Sequence, residues 1–100
     1  MVLVVFRSRL RGANPPGYEA TAARMVELAA KQPGFRAIKT FVADDGERVT
    51  ISEFDSLEAV NAWRAQSEHL EAQRRGRSEF YAEYALQTCE LVRETKFPAK

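Results

Sequence analysis

The chain has 100 residues, enough for one domain with one core and too few for two. Its 15 basic and 14 acidic residues leave a formal net charge of +1, which argues against the basic footprint of an electrostatic nucleic-acid binder. At 45% hydrophobic and 29% charged it has ordinary globular composition, and no apolar stretch approaches the roughly 20 residues that span a bilayer.

Residues 2–10 form a β-branched run around Phe6 and read as a strand. The apolar part of this run, residues 2–6, is too short for a signal peptide and has no basic stretch before it, so the expected location is the cytoplasm. Gly12-Ala13-Asn14-Pro15-Pro16-Gly17 is a loop, because its prolines and glycines do not fit inside a regular element. Residues 18–32 read as a helix: Tyr18, Ala22, Met25, Val26 and Ala29 recur at helical spacing, and Pro33-Gly34 stops it.

Residues 35–43 and 48–54 read as two strands joined by a hairpin at Asp44-Asp45-Gly46-Glu47. Asp55 or Ser56 can cap the next helix, whose apolar stripe is Leu57, Val60 and Trp63. That helix is expected to break near Ser67 and run on to about Tyr81. Residues 84–93 are the last strand, and residues 94–100 a polar, frayed tail. The order β-α-β-β-α-β predicts an α+β, ferredoxin-like split βαβ domain over residues 1–100, with the helices on one face of an antiparallel sheet.

The strands are apolar on both sides. Val2, Val4 and Phe6 point one way, Leu3 and Val5 the other. Phe35, Ala37 and Phe41 alternate against Ile38 and Val42, and Tyr84 and Leu86 against Ala85, Cys89 and Leu91. Two helices cover one face only. The other predicts a homodimer through the sheet face.

The sequence has no phosphate-binding glycine loop and no Cys/His metal spacing. Cys89, the single cysteine, excludes an intrachain disulfide and is expected to be a small buried hydrophobe. The informative segment runs from Ala62 to Tyr81. On a helix, His69, Ala72, Gln73, Gly76 and Phe80 share one side, near Trp63. Gly76 costs about 1 kcal/mol against alanine in a helix, so it serves close packing or leaves room. His69 is either a packed, hydrogen-bonded histidine or a ligand or catalytic group, since imidazole titrates near neutrality. Arg74, Arg75 and Arg77 lie among Glu71 and Glu79 and read as a solvated, paired face. Glu53 reads as an edge or interface carboxylate, and Tyr18, Tyr81 and Tyr84 are candidates to border a pocket.

Pro33-Gly34-Phe35, Ile51-Ser52-Glu53-Phe54-Asp55-Ser56, Ala62-Trp63-Arg64, Glu68-His69, Ala72-Gln73-Arg74-Arg75-Gly76-Arg77 and Phe80-Tyr81 together resemble the antibiotic biosynthesis monooxygenase (ABM) family. The likeness is to its small bacterial branch, grouped with haem-degrading and polyketide monooxygenases. It implies a dimeric α+β barrel, with a pocket between each sheet and its helices. It also implies oxidation of an aromatic or quinone-like molecule by oxygen, without metal or flavin. His69 would then be the catalytic residue, with Trp63, Phe54, Gln73, Gly76 and Phe80 around the pocket. Polyketide oxygenases carry Trp at the strand end and Tyr in the next helix, where this chain has Phe54 and Val60. Haem degraders of the staphylococcal type carry the axial His about ten residues after Trp, where this chain has Gln73. A haem protein ligated through His69 and a non-catalytic dimeric binding module are the alternative readings.

Overall fold

The computed structural model describes residues 1–98. Its elements are β1 (Val2–Leu10), α1 (Tyr18–Ala30), β2 (Phe35–Val42), β3 (Arg48–Phe54), α2 (Leu57–Arg64), α3 (Ser67–Arg75), a π-helical turn (Gly76–Phe80) and β4 (Tyr81–Glu90). The sheet is antiparallel with order β2-β3-β1-β4. The helices lie on one face, as the α+β ferredoxin-like reading expects.

β1 is central, and its register sorts every strand residue onto a face. Val2, Val4, Phe6 and Ser8 stand opposite Phe54, Ser52, Thr50 and Arg48 of β3. Phe6 and Ser8 also face Leu86 and Tyr84 of β4. This face meets the helices, and its core is Val2, Val4, Leu28, Ala29, Phe54, Val60 and Trp63. Leu57, expected in the stripe of α2, is half exposed instead. The outer face carries Leu3, Val5, Val49, Ile51, Ala37, Phe41, Ala85 and Cys89, mixed with Arg7, Lys39, Glu53 and Gln87. Cys89 is exposed there rather than buried, because no element among the described residues covers that face.

Two strand expectations are corrected. Phe35 does not share a face with Ala37 and Phe41. A register shift between Phe35 and Ala37 puts Phe35 opposite Phe54 and Ala37 opposite Glu53. The bulge absorbs Arg36, so Phe35 turns inward and meets Phe54 edge to face at 5.9 Å. β4 starts at Tyr81 and ends at Glu90, three residues before each expected bound. The Arg11 guanidinium donates to the carbonyls of Arg77, Ser78 and Tyr81, and Arg11 N–H donates to Phe80 O at 2.8 Å. These bonds tie down the π-helical turn, so pairing with β1 begins immediately after it. Residues 91–98 form no regular element, and the last two residues of the expected tail lie outside the described residues.

The helix junctions follow local chemistry. Ser56 is the N-cap of α2, its Oγ accepting from Ala59 N–H at 3.1 Å. Gly34 has φ +84°, and a Cβ there would lie 2.7 Å from Ala59 Cβ, so only glycine lets the start of β2 approach α2 this closely. α2 stops at Arg64 because Gln66 is extended, with φ −65° and ψ 132°, and its side chain then caps α3.

Candidate functional site

Between the inner sheet face and the helices lies a cavity of about 190 Å³. Val4, Phe6, Ser8, Thr40, Thr50 and Ser52 form its floor. Tyr18, Ala22 and Met25 of α1 close one side, and Trp63, Arg64, His69, Ala72 and Gln73 another. Phe80, Tyr81 and Tyr84 close one end.

The break between α2 and α3 positions His69. Gln66 Oε1 accepts from His69 N–H at 2.8 Å and fixes the first turn of α3. The imidazole stacks on the Trp63 indole, with centroids 4.2 Å apart and planes 8° apart. His69 Nδ1 lies 3.1 Å from Trp63 O. A carbonyl only accepts, so Nδ1 carries the hydrogen and Nε2 the lone pair. Burial pushes the His69 pKa below its ordinary 6.5; the hydrogen bond to the Trp63 carbonyl opposes this, and the Arg64 charge adds a smaller push downward. The first turn of a helix also disfavours an added positive charge. His69 is therefore a neutral base at neutral pH.

The other end is aromatic. Tyr81 contacts Phe6, Tyr18 and Tyr84 at centroid distances of 5.3, 6.0 and 5.8 Å. Burial, reinforced by Tyr18, raises the Tyr81 pKa well above the ordinary phenol value, so its phenol stays protonated. Gly76 does not line the cavity. A Cβ at Gly76 would lie 2.7 Å from a Tyr81 ring carbon, so the glycine leaves room for that ring. Phe54 does not line it either; it is fully buried in the core. Trp63, His69, Gln73 and Phe80 do line it, as do the three tyrosines. Glu53 faces the opposite side of the sheet. Arg74 pairs with Glu71 at 3.0 Å and Arg75 with Glu79 at 3.3 Å, the paired surface expected of that run.

Sequence reasoning missed the polar floor. Ser8 and Ser52 are 3% and 7% exposed and line the cavity, and no buried side-chain nitrogen or oxygen among the described residues is left without a partner. Beside them Thr40 and Thr50 pair at 2.7 Å. The available signal was a serine at position 8, in step with inward-pointing Val4 and Phe6. A hydroxyl at such a position needs a partner. Arg64, also missed, is exposed at the cavity and has no carboxylate partner among the described residues.

The residues do not fit haem. The position ten beyond Trp63 holds Gln73, an amide, and the His69 ring is pressed flat against Trp63. The cavity also falls below the range of roughly 300–1,000 Å³ typical of larger ligands. No group of three or more His, Cys, Asp or Glu side chains able to hold a metal ion occurs among the described residues, and no helix there is long and apolar enough to cross a membrane.

A ferredoxin-like sheet with helices on one face, and between them an aromatic-lined cavity that presents an imidazole, defines a small α+β domain. Residues 1–75 match the antibiotic biosynthesis monooxygenase (ABM) family, and the chain belongs to that family. It is 42% identical over 94 residues to the uncharacterized protein YqjZ of Bacillus subtilis (strain 168), covering 94% of this chain and 82% of that protein. SnoaB of Streptomyces nogalater, a cofactor-independent oxygenase, superposes with a TM-score of 0.74 at 25% identity, over 97% of this chain and 96% of its own. Rv0793 of Mycobacterium tuberculosis shares the fold with a TM-score of 0.82 at 19% identity, over 95% and 98% of the two chains. Family membership and the likeness to SnoaB support a monooxygenase.

Proposed function

We propose that the protein is a cofactor-independent monooxygenase that oxidises an aromatic or quinone-like small molecule in the cavity beneath its helices, with His69 as the base. The observation that carries this reading is the neutral imidazole stacked on Trp63 at the cavity wall. The Trp63 carbonyl holds Nδ1–H, so the free lone pair on Nε2 takes a proton from a phenol or from a methylene next to an aryl ketone. The resulting anion is electron-rich and is the reductant of oxygen. For a phenol, the O–H, one ring C–H and the O–O bond break, and a quinone C=O and water form; for a methylene substrate, two C–H bonds and the O–O bond break, and a C=O bond and water form. The substrate gives up four electrons and O₂ accepts four, so the stoichiometry closes without another reductant. Trp63, Phe80 and Met25 supply apolar walls that exclude water from the anion, and Arg64 supplies positive charge beside it.

Oxygen uptake with a panel of hydroquinones, naphthols and anthrones tests this reading. Substrate-dependent uptake in the absence of added flavin, haem or metal is the expected result. A silent electrode, with binding intact, would make the protein a non-catalytic binding module.

The proposed assembly is a homodimer through the outer sheet face, where Leu3, Val5, Val49, Ile51 and Phe41 form the apolar surface left uncovered by the helices. Light scattering at micromolar concentration should give twice the 11.3 kDa chain mass. A value of one chain mass would refute the dimer.

A further inference from the structure

The register of the sheet gives the cavity a direction. Ser52 lies opposite Val4, Thr50 opposite Phe6, and Tyr84 opposite Ser8. β-strands rise about 3.3 Å per residue, so the four steps from Val4 to Ser8 span about 13 Å. Trp63 packs in the core cluster with Val2 and Val4, which puts the Trp63–His69 stack at the Ser52 end. Tyr84 and Tyr81, opposite Ser8 and Leu10, mark the other end. Between the ends lie Phe6 and Leu86, with Thr50 opposite Phe6 and paired to Thr40. The cavity is thus a slot whose middle holds Phe6, Leu86 and a threonine pair whose hydroxyls bond each other, with a serine toward each end.

Its volume limits what enters. An apolar cavity of about 150 Å³ takes benzene. At about 190 Å³ this slot is only slightly larger. Each end, or pole, also presents the hydroxyl-bearing side chain of a buried serine that lines the slot, Ser52 at one and Ser8 at the other. A ligand oxygen placed against either serine can gain a hydrogen bond there. At the Ser8 pole the Tyr81 and Tyr84 side chains also line the slot.

We infer that the slot takes a flat one- or two-ring aromatic molecule with an oxygen at each end of its long axis, one at the Ser52–His69 pole and one at the Ser8–tyrosine pole. The inference rests on the reading of this cavity as the substrate site. It adds Ser8 and Ser52 as residues that set specificity, Ser8 by contact with the end of the molecule remote from the base.

Isothermal titration calorimetry with 2,6-dihydroxynaphthalene and its 2,3-isomer tests it. The two probes share composition and polarity but place their oxygens at opposite ends or at one end. The wild-type protein should bind the 2,6-isomer about tenfold more tightly, the difference made by one satisfied hydrogen bond. Ser8→Ala should remove that preference, with the variant's circular dichroism matching the wild type. Equal binding of the isomers, or a preference that survives in both Ser8→Ala and Ser52→Ala, would overturn the two-pole slot. Tighter binding of three-ring anthrone would overturn its size limit. Calorimetry needs no turnover, so tight 2,6-selective binding with a silent oxygen electrode would refute the oxygenase and leave the slot standing.

Discussion

Replacing His69 with glutamine should lower kcat/KM for oxygen uptake by roughly 10²–10⁴, the range that a positioned general base contributes. Glutamine keeps comparable bulk and a donor that can reach the Trp63 carbonyl, but it has no titratable lone pair. Ligand binding by calorimetry should change far less than turnover. The pH dependence supplies a second readout. Burial lowers the His69 pKa below its ordinary 6.5, so the base gains its proton at lower pH than a solvent-exposed imidazole. The wild-type profile of kcat/KM should therefore fall on the acid side, with its acid limb at lower pH than an ordinary imidazole would give. That acid limb should vanish in His69→Gln. The sign for stability agrees. A histidine with a depressed folded-state pKa binds fewer protons folded than unfolded, so stability rises with pH through this window and is lost as pH falls below the unfolded value. Unchanged turnover in His69→Gln would remove His69 from the chemistry.

The elements that were legible in the sequence are those where local chemistry and tertiary packing agree. The bounds of β1 and β3 follow from β-branched runs that end at turn residues, and Ser56 is the cap that its spacing implies. The doubled apolar pattern of β1 was equally visible, because alternation needs no knowledge of partners. Phe35 was misplaced because a bulge obeys the partner strand rather than the parity of its own. The start of β4 was misplaced because the π-helical turn before it is held by Arg11, 70 residues distant from Tyr81 in sequence. Helical spacing put Gln73 and Phe80 on the His69 side, and both line the cavity. The same spacing included Gly76, which instead accommodates the ring of Tyr81. Ser8 and Ser52 belong to different strands. They read as a shared floor only once Val4 is seen opposite Ser52 and Ser8 lies two inward positions further along β1.

Phe54 separates a pocket role from a packing role, because the resemblance to the family puts it at the pocket and the structure puts it beneath. It is fully buried, stands opposite both Val2 and Phe35 in the sheet, and belongs to the cluster that holds Val60 and Trp63. Phe54→Ala should destabilise the fold by about 3–5 kcal/mol, the cost of the lost burial plus the hole that remains. A small domain is stable by only about 5–15 kcal/mol, so this is a large fraction of the whole. At about 4–8 °C per kcal/mol for a domain of this size, Tm should fall by at least about 12 °C. Thermal melts followed by circular dichroism measure this directly. The folded fraction of the variant, held below its lowered Tm, should still favour 2,6-dihydroxynaphthalene over the 2,3-isomer, because the floor and both poles of the slot are built from other residues. A variant that melts normally but binds weakly would mean that the Phe54 ring reaches the ligand, and that the floor of the slot extends one step further, to the level of Val2. The two outcomes lie on different axes, stability against selectivity, so one preparation of the variant decides between them.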